Sequence, residues 1–251
     1  MARRASSRPK AHPIKSVKAG KAAKPPRPRA TSTLDPLERA QQWIDAQGAD
    51  RPTRERVLDA AMQLFHAQGY NATGIASILG RADVNPGSLF HFFPTKEDLV
   101  LALLERYLGL LRPLVVEPVF ARVDDPIERV FGILDGYRRM LVATECALGC
   151  PIGNLALELS DTHPNARALV AANFAQWKAA VRECLDAARE RLPPKTDTER
   201  LATFVLTVME GAVMQAKAER SLASFDHSVA ELRAYFDRLL AEASDWKPRS
   251  R

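Results

Sequence analysis

The stretch that decides the fold is Thr73–Lys96, TGIASILGRADVNPGSLFHFFPTK. Ile75, Ile78 and Leu79 give its first half one apolar face at helical spacing, and Val84 and Leu89 carry that face across a break. Asn85 is a strong N-cap and Pro86 suits the first helical position, so a second helix starts there. The two helices, placed at 73–80 and 86–92, are too short to stand alone. Helix, turn and helix in this compass match a helix-turn-helix, whose second helix reads bases in the major groove. Gly87 and Ser88 give that helix a slim N-terminus with unpaired backbone N–H groups, suited to close approach to phosphate. For the fragment alone, a plain helix pair with Phe90, Phe92 and Phe93 as core is the competing reading.

Working outward, residues 54–68 carry Val57, Leu58, Ala61, Leu64 and Phe65 on one stripe, and Gly69 stops that helix in a left-handed C′ position. Thr95 with Asp98 opens a helix over 95–111 that Pro113 should end. Further helices are read at 126–145, 153–160, from Pro164 to 191, 198–220 and 226–242, with a short extra one at 34–47. No period-2 strand pattern and no repeat of 20–50 residues interrupts them. The fold class is all-α: an N-terminal three-helix helix-turn-helix domain followed by a six-helix ligand-binding and dimerisation domain. The boundaries expected are a disordered basic tail at 1–33, a linker or short extra helix at 34–52, and the helix-turn-helix at 53–98. An effector-binding and dimerisation domain at 99–244 and a C-terminal tail at 245–251 complete the chain.

With its flanks, Gly69-Tyr70, then Thr73, then VNPGSLFHFFPTKEDLV, the region 54–104 resembles the DNA-binding head of TetR-family transcriptional regulators. The resemblance implies that Thr73, Ser88, His91 and Lys96 contact phosphates or nearby base edges. It also implies that Asn85, Gly87 and Leu89 lie at or near the groove, Leu89 against a thymine methyl, and that Phe93 plugs the head's core. Two residues depart from the family's pattern. Phe90 stands at a DNA-facing position where the family usually has Tyr, which removes a hydroxyl–phosphate hydrogen bond. Asp83 stands where the family favours Gly in the turn, at a cost of up to ~1–2 kcal/mol. GCPIGNLALELSDTHP (149–164) resembles a segment in the ligand-binding domains of a subset of the same family.

Charge is unevenly spread. The chain carries 36 basic and 30 acidic residues, and residues 1–33 hold ten of the basic ones with no acid, leaving 26 against 30 elsewhere. The body is therefore mildly acidic and the tail is a detached cation, either a loose phosphate anchor or a solubilising extension. No apolar run approaches the ~18–20 residues of a membrane span, and no secretory signal opens the chain. Three cysteines without metal-ligand spacing point to a reducing, cytoplasmic setting.

Residues 201–216, LATFVLTVMEGAVMQA, are apolar nearly all round and must be covered on two sides, one of them a partner chain. In 226–242, Val229, Leu232, Phe236, Leu239 and Leu240 follow three–four spacing. Two such helices from each subunit would make a two-fold four-helix bundle, hence a homodimer on double-stranded DNA with a near-palindromic operator. Candidates for a small, largely apolar or aromatic effector are Phe131, Leu134, Tyr137, Cys146, Cys150, Phe174, Trp177 and Met209. Each competes with an ordinary core role.

Cys150, beside Gly149 and Pro151 in a helix break, is also a candidate electrophile or redox sensor. No nucleophile elbow, phosphate loop, zinc helix or framed carboxylate pair suggests an enzyme, and no cofactor is implied. The expectation is a transcriptional regulator, read as a repressor released by a small effector. Its rival is a sequence-indifferent nucleic-acid binder acting through the tail.

Overall fold

The computed structural model describes residues 51–245, all of them in helices, turns or connecting loops. The basic tail, the helix read at 34–47 and residues 246–251 lie outside the described residues.

Helix α1, Thr53–Gln68, buries Val57, Leu58, Leu64 and Phe65 and ends at Gly69, whose φ of 88° suits glycine. A second constraint acts there, because a Cβ on Gly69 would collide with the Glu158 carboxylate. Helix α2, Ile75–Ala82, starts two residues later than its periodicity suggests. Thr73 is held outside it by its hydroxyl, which donates to Gly69 O at 2.6 Å. Helix α3, Pro86–Phe92, opens as the sequence requires, with Asn85 Oδ1 accepting from Ser88 N at 2.8 Å. Helix α4, Lys96–Leu111, opens with a complete Thr95–Asp98 capping box.

Pro113 does not end the helical path. The chain continues through a π turn, Arg112–Val116, and one further α turn, Glu117–Phe120. Proline has no N–H to give and crowds the carbonyl four residues back, so the wider turn relieves both problems. Helix α5, Pro126–Ala143, is capped by Asp125 through the N–H groups of Ile127 and Glu128. It stops short of 145, where Glu145 and Cys146 both take left-handed conformations. Helix α6, Pro151–Leu159, starts earlier than expected because the Cys150 thiol caps it, accepting from Gly153 N at 3.4 Å. Helix α7, Pro164–Ala187, is followed by a 3₁₀ turn, Arg189–Arg191. Helices α8, Thr198–Glu219, and α9, Ala223–Asp245, complete the described chain.

Two apolar cores form. One joins α1–α4 to Leu155 and Leu159 of α6 and to Ala166 and Val170 of α7. The other packs α5 and the second half of α7 against α8 and α9. Ile152 and Phe174 touch both, so the N-terminal core continues past residue 98 into the body. Helix α8 buries Leu201, Val205, Met209 and Val213 on one side, while Phe204 (45% exposed) and Met214 (58%) face outward on the other. No described helix is long and apolar enough to cross a membrane.

Candidate DNA-reading helix and effector cavity

Helix α3 has seven residues, so its position depends on what anchors it. Leu89 is fully buried in the core of α1–α4, and Phe93 is buried immediately after the helix. Opposite them, Asn85, Gly87, Phe90 (46% exposed) and His91 face solvent, with Ser88 half-buried. Gly87 is fitted to this start, since a Cβ there would press to 3.3 Å from the capping Asn85 Oδ1.

Two of the residues expected at DNA are turned inward. Leu89 is core, the one residue of α3 buried among the apolar side chains of α1, α2 and α4. Thr73 is also fully buried, and its hydroxyl is used up between Gly69 O and the Gln68 amide, which donates to it at 3.2 Å. Lys96 is half-buried at the start of α4, where its ammonium donates to Tyr70 O at 2.6 Å and lies 4.2 Å from the Tyr70 ring centre. Partial burial lowers its pKa.

Sequence reasoning missed Arg56, which donates to the carbonyls of Ala82 and Asp83 at the C-terminus of α2. Asp83 holds the expected left-handed turn at φ 51°, ψ 56°, with its carboxylate fully exposed. Asp83→Gly is expected to raise stability by no more than about 1 kcal/mol, because relief of the left-handed strain is partly offset by glycine's larger unfolded entropy. It should also tighten DNA binding most at low salt, which a salt titration by fluorescence anisotropy would reveal.

Between the head and α8 lies a cavity of about 310 Å³. Its walls come from Met62 of α1, Tyr107 and Leu111 of α4, the π turn, Tyr137 and Met140 of α5, the start of α6, Phe174 and Trp177 of α7, and Glu210 of α8. Of the sequence candidates, Tyr137, Cys150, Phe174 and Trp177 line it. The other four are core. Phe131 packs edge-on against Phe236 with the Arg233 guanidinium 3.4 Å above its ring centre, and Leu134, Cys146 and Met209 are sealed in the α5–α9 core.

Glu210, Tyr107 and Asn173 were missed. Glu210 had a visible signal, being the only charge in 201–216. Burial raises its pKa, and burial plus the nearby Glu210 pushes the Cys150 thiol well above its ordinary value. Burial also drives up the Tyr137 hydroxyl, tempered by the adjacent Trp177 indole, whose N–H makes no hydrogen bond of normal geometry.

Helix α6 connects this cavity to the head. Its far end carries Glu158, whose two oxygens accept from Tyr70 N at 3.1 Å and Asn71 N at 2.8 Å. At its near end Gly149 O lies 2.8 Å from His66 Nε2. Burial lowers the His66 pKa to about 4, so the ring is neutral near pH 7 and the carbonyl contact places the proton on Nε2. The folded pKa lies below the unfolded 6.5, so the stabilisation is complete above pH 6.5 and is lost as pH falls towards 4. The ring keeps some solvent contact, so the loss is expected to be roughly 1–3 kcal/mol. Urea midpoints of wild type and His66→Gln, compared across that window, should converge on acidification.

A slim, capped helix presented by a small head, on an all-helical body with a largely apolar cavity, defines a helix-turn-helix regulator. The signature described as "Bacterial regulatory proteins, tetR family" matches residues 57–103, and "Tetracyclin repressor-like, C-terminal domain" matches 126–244. The chain belongs to the TetR family of transcriptional regulators. It is 29% identical over 197 residues to an uncharacterized HTH-type transcriptional regulator of Mycobacterium tuberculosis, spanning 75% of this chain and 95% of that one. It is 26% identical to the HTH-type transcriptional repressor DhaR of Mycobacterium sp. strain GP1, spanning 71% and 89% of the two chains. Among solved structures, a TetR regulator from Chloroflexus aurantiacus superposes with a TM-score of 0.65 at 28% identity, covering 80% of this chain and 96% of that one.

Proposed function

We propose that two copies of this chain pair through α8 and α9, place two α3 helices about 34–36 Å apart on a near-palindromic operator, and repress transcription by occupancy. A small effector in the cavity releases the DNA. At the DNA, the reading assigns base and phosphate contacts to Asn85, Gly87, Ser88, Phe90 and His91, with Lys96 steadying the turn behind them. Pairing is supported by Phe204, Met214 and Tyr235, apolar groups left exposed on α8 and α9. The head comprises 53–98 and the effector and dimer region 99–244.

The observation that carries the release mechanism is the double role of α6. Its first turn walls the cavity, and its last turn holds the Tyr70–Asn71 backbone through Glu158. Helix α4 makes a second link, with Leu99 and Leu103 in the head's core and Tyr107 in the cavity wall. An effector that binds one head position better than another shifts the population by that difference. Direct binding fits better than a cysteine sensor, since a reactive thiol needs a lowered pKa and Cys150 has the reverse.

The test is a bacterial reporter whose promoter overlaps a site selected by the protein. Repression predicts lower reporter output when the chain is expressed, restored by compounds that bind the purified protein. Higher output would mark an activator, and unchanged output would reject regulation at that site.

A further inference from the structure

Among the described residues lining the cavity, Glu210 is the one carboxyl group, and no cationic side chain stands beside it there. Glu210 projects from the otherwise apolar middle of α8 against the first turn of α6, so tightly that a Cβ on Gly153 would come within 2.5 Å of Oε2. Its polar neighbour is the Cys150 thiol, a neutral group. Among the described residues, no Lys, Arg or His lines the cavity. Lys217, two turns along α8, shares an adjoining recess with Glu210, but its ammonium donates to Asn154 Oδ1 at 3.3 Å and makes no ion pair with Glu210. Apart from Asn173, whose amide donates to Leu104 O and Leu169 O, the remaining walls are apolar or aromatic, with the rings of Tyr107, Tyr137, Phe174 and Trp177 contributed by three helices.

A carboxylate taken out of water without a counter-charge is costly, and burial here already pushes Glu210 towards its neutral form. A ligand that brings the missing positive charge removes that cost. The same charge is attracted to the negative faces of aromatic rings. A neutral ligand gains only apolar burial, and an anion is repelled. We propose that this cavity takes an organic cation, a substituted ammonium on an apolar or aromatic body, with Glu210 as its counter-charge and the aromatic rings as its cage. The proposal rests on the reading of the cavity as the effector site. At about 310 Å³ the space sits at the small end of ligand pockets, ~300–1,000 Å³, so the body is compact.

The test is calorimetric titration of the full chain with two size-graded series. One is built on choline phenyl ether, a quaternary ammonium that cannot shed its charge. The other is built on the neutral carbon isostere, 3,3-dimethylbutyl phenyl ether. The expected result is a preference for the cation of roughly tenfold or more at matched size, erased in Glu210→Gln while the neutral affinity holds or improves. Neutral members binding as tightly as cations, or a preference that survives Glu210→Gln, would overturn the cation reading and leave the effector cavity standing. Failure of both series to bind would remove the cavity reading and this proposal with it. If Glu210→Gln does not fold, the wild-type ratio of cation to neutral affinity decides.

Discussion

Asp59→Ala is expected to destabilise the protein by about 3 kcal/mol, the low end of the range for breaking a buried ion pair. Asp59 sits in the middle of α1, almost wholly buried, where an apolar stripe would normally place another hydrocarbon. It is held there by two arginines. Arg51 Nη1 lies 2.5 Å from one oxygen, and Arg106 Nη1 of α4 lies 2.7 Å from the other. The second contact is a close approach of charges without ideal hydrogen-bond alignment. Removing the carboxylate leaves Arg106, only 20% exposed, facing Glu55 at 3.7 Å as its remaining counter-charge. The loss should appear as a lowered urea midpoint with an unchanged slope, and should loosen α1 from α4. A shift below about 1 kcal/mol would mean that water screens the pair as it does at a surface.

Leu89→Ala is expected to cost about 3 kcal/mol, within the ~2–5 kcal/mol range of buried leucine truncations. The residue is fully buried, and it is the one buried residue within α3, so the truncation should also release the helix from the head and weaken DNA binding. The resemblance to TetR heads implied a different place for it, against a thymine methyl. The two placements separate cleanly. A groove-facing leucine would leave stability within about 0.5 kcal/mol and change base preference instead.

These two residues also mark what the sequence could and could not convey. Proline and capping residues fixed most helix starts: Asn85-Pro86, Thr95 with Asp98, and Asp125-Pro126 all open helices as their chemistry requires. Facing was harder to read. For α3 the apolar pattern and the resemblance pointed opposite ways. The pattern carried the core face of Ile75, Ile78 and Leu79 on to Leu89, as the structure has it, and the resemblance turned Leu89 to the groove. The resemblance also placed Thr73 at the DNA, and nothing local in the sequence indicates that Gly69 O is waiting for its hydroxyl.

The π turn at Pro113 was invisible because spacing reports which face is apolar, not which carbonyl each N–H meets. The early start of α6 depends on a thiol acting as cap, which is not among the usual N-cap groups. In the cavity, Tyr137 and Phe131 are alike as apolar residues of α5, and only the packing of α4 and α9 assigns one to the hole and the other to the core. Glu210 is the contrary case. A lone charge in an apolar helix was legible, and its meaning came from the cavity it enters.

The central claim is that α3 gives this protein sequence-specific recognition as a symmetric pair. Its most direct test is selection of binding sites from a random DNA library at physiological salt, with the full chain and with residues 1–33 removed. The account predicts one near-palindromic motif, its half-sites about one helical turn apart, enriched by both proteins, with lower affinity at low salt after the deletion. Equal retention of all sequences, or binding that disappears with the tail, would contradict it and assign the DNA contact to the basic segment instead.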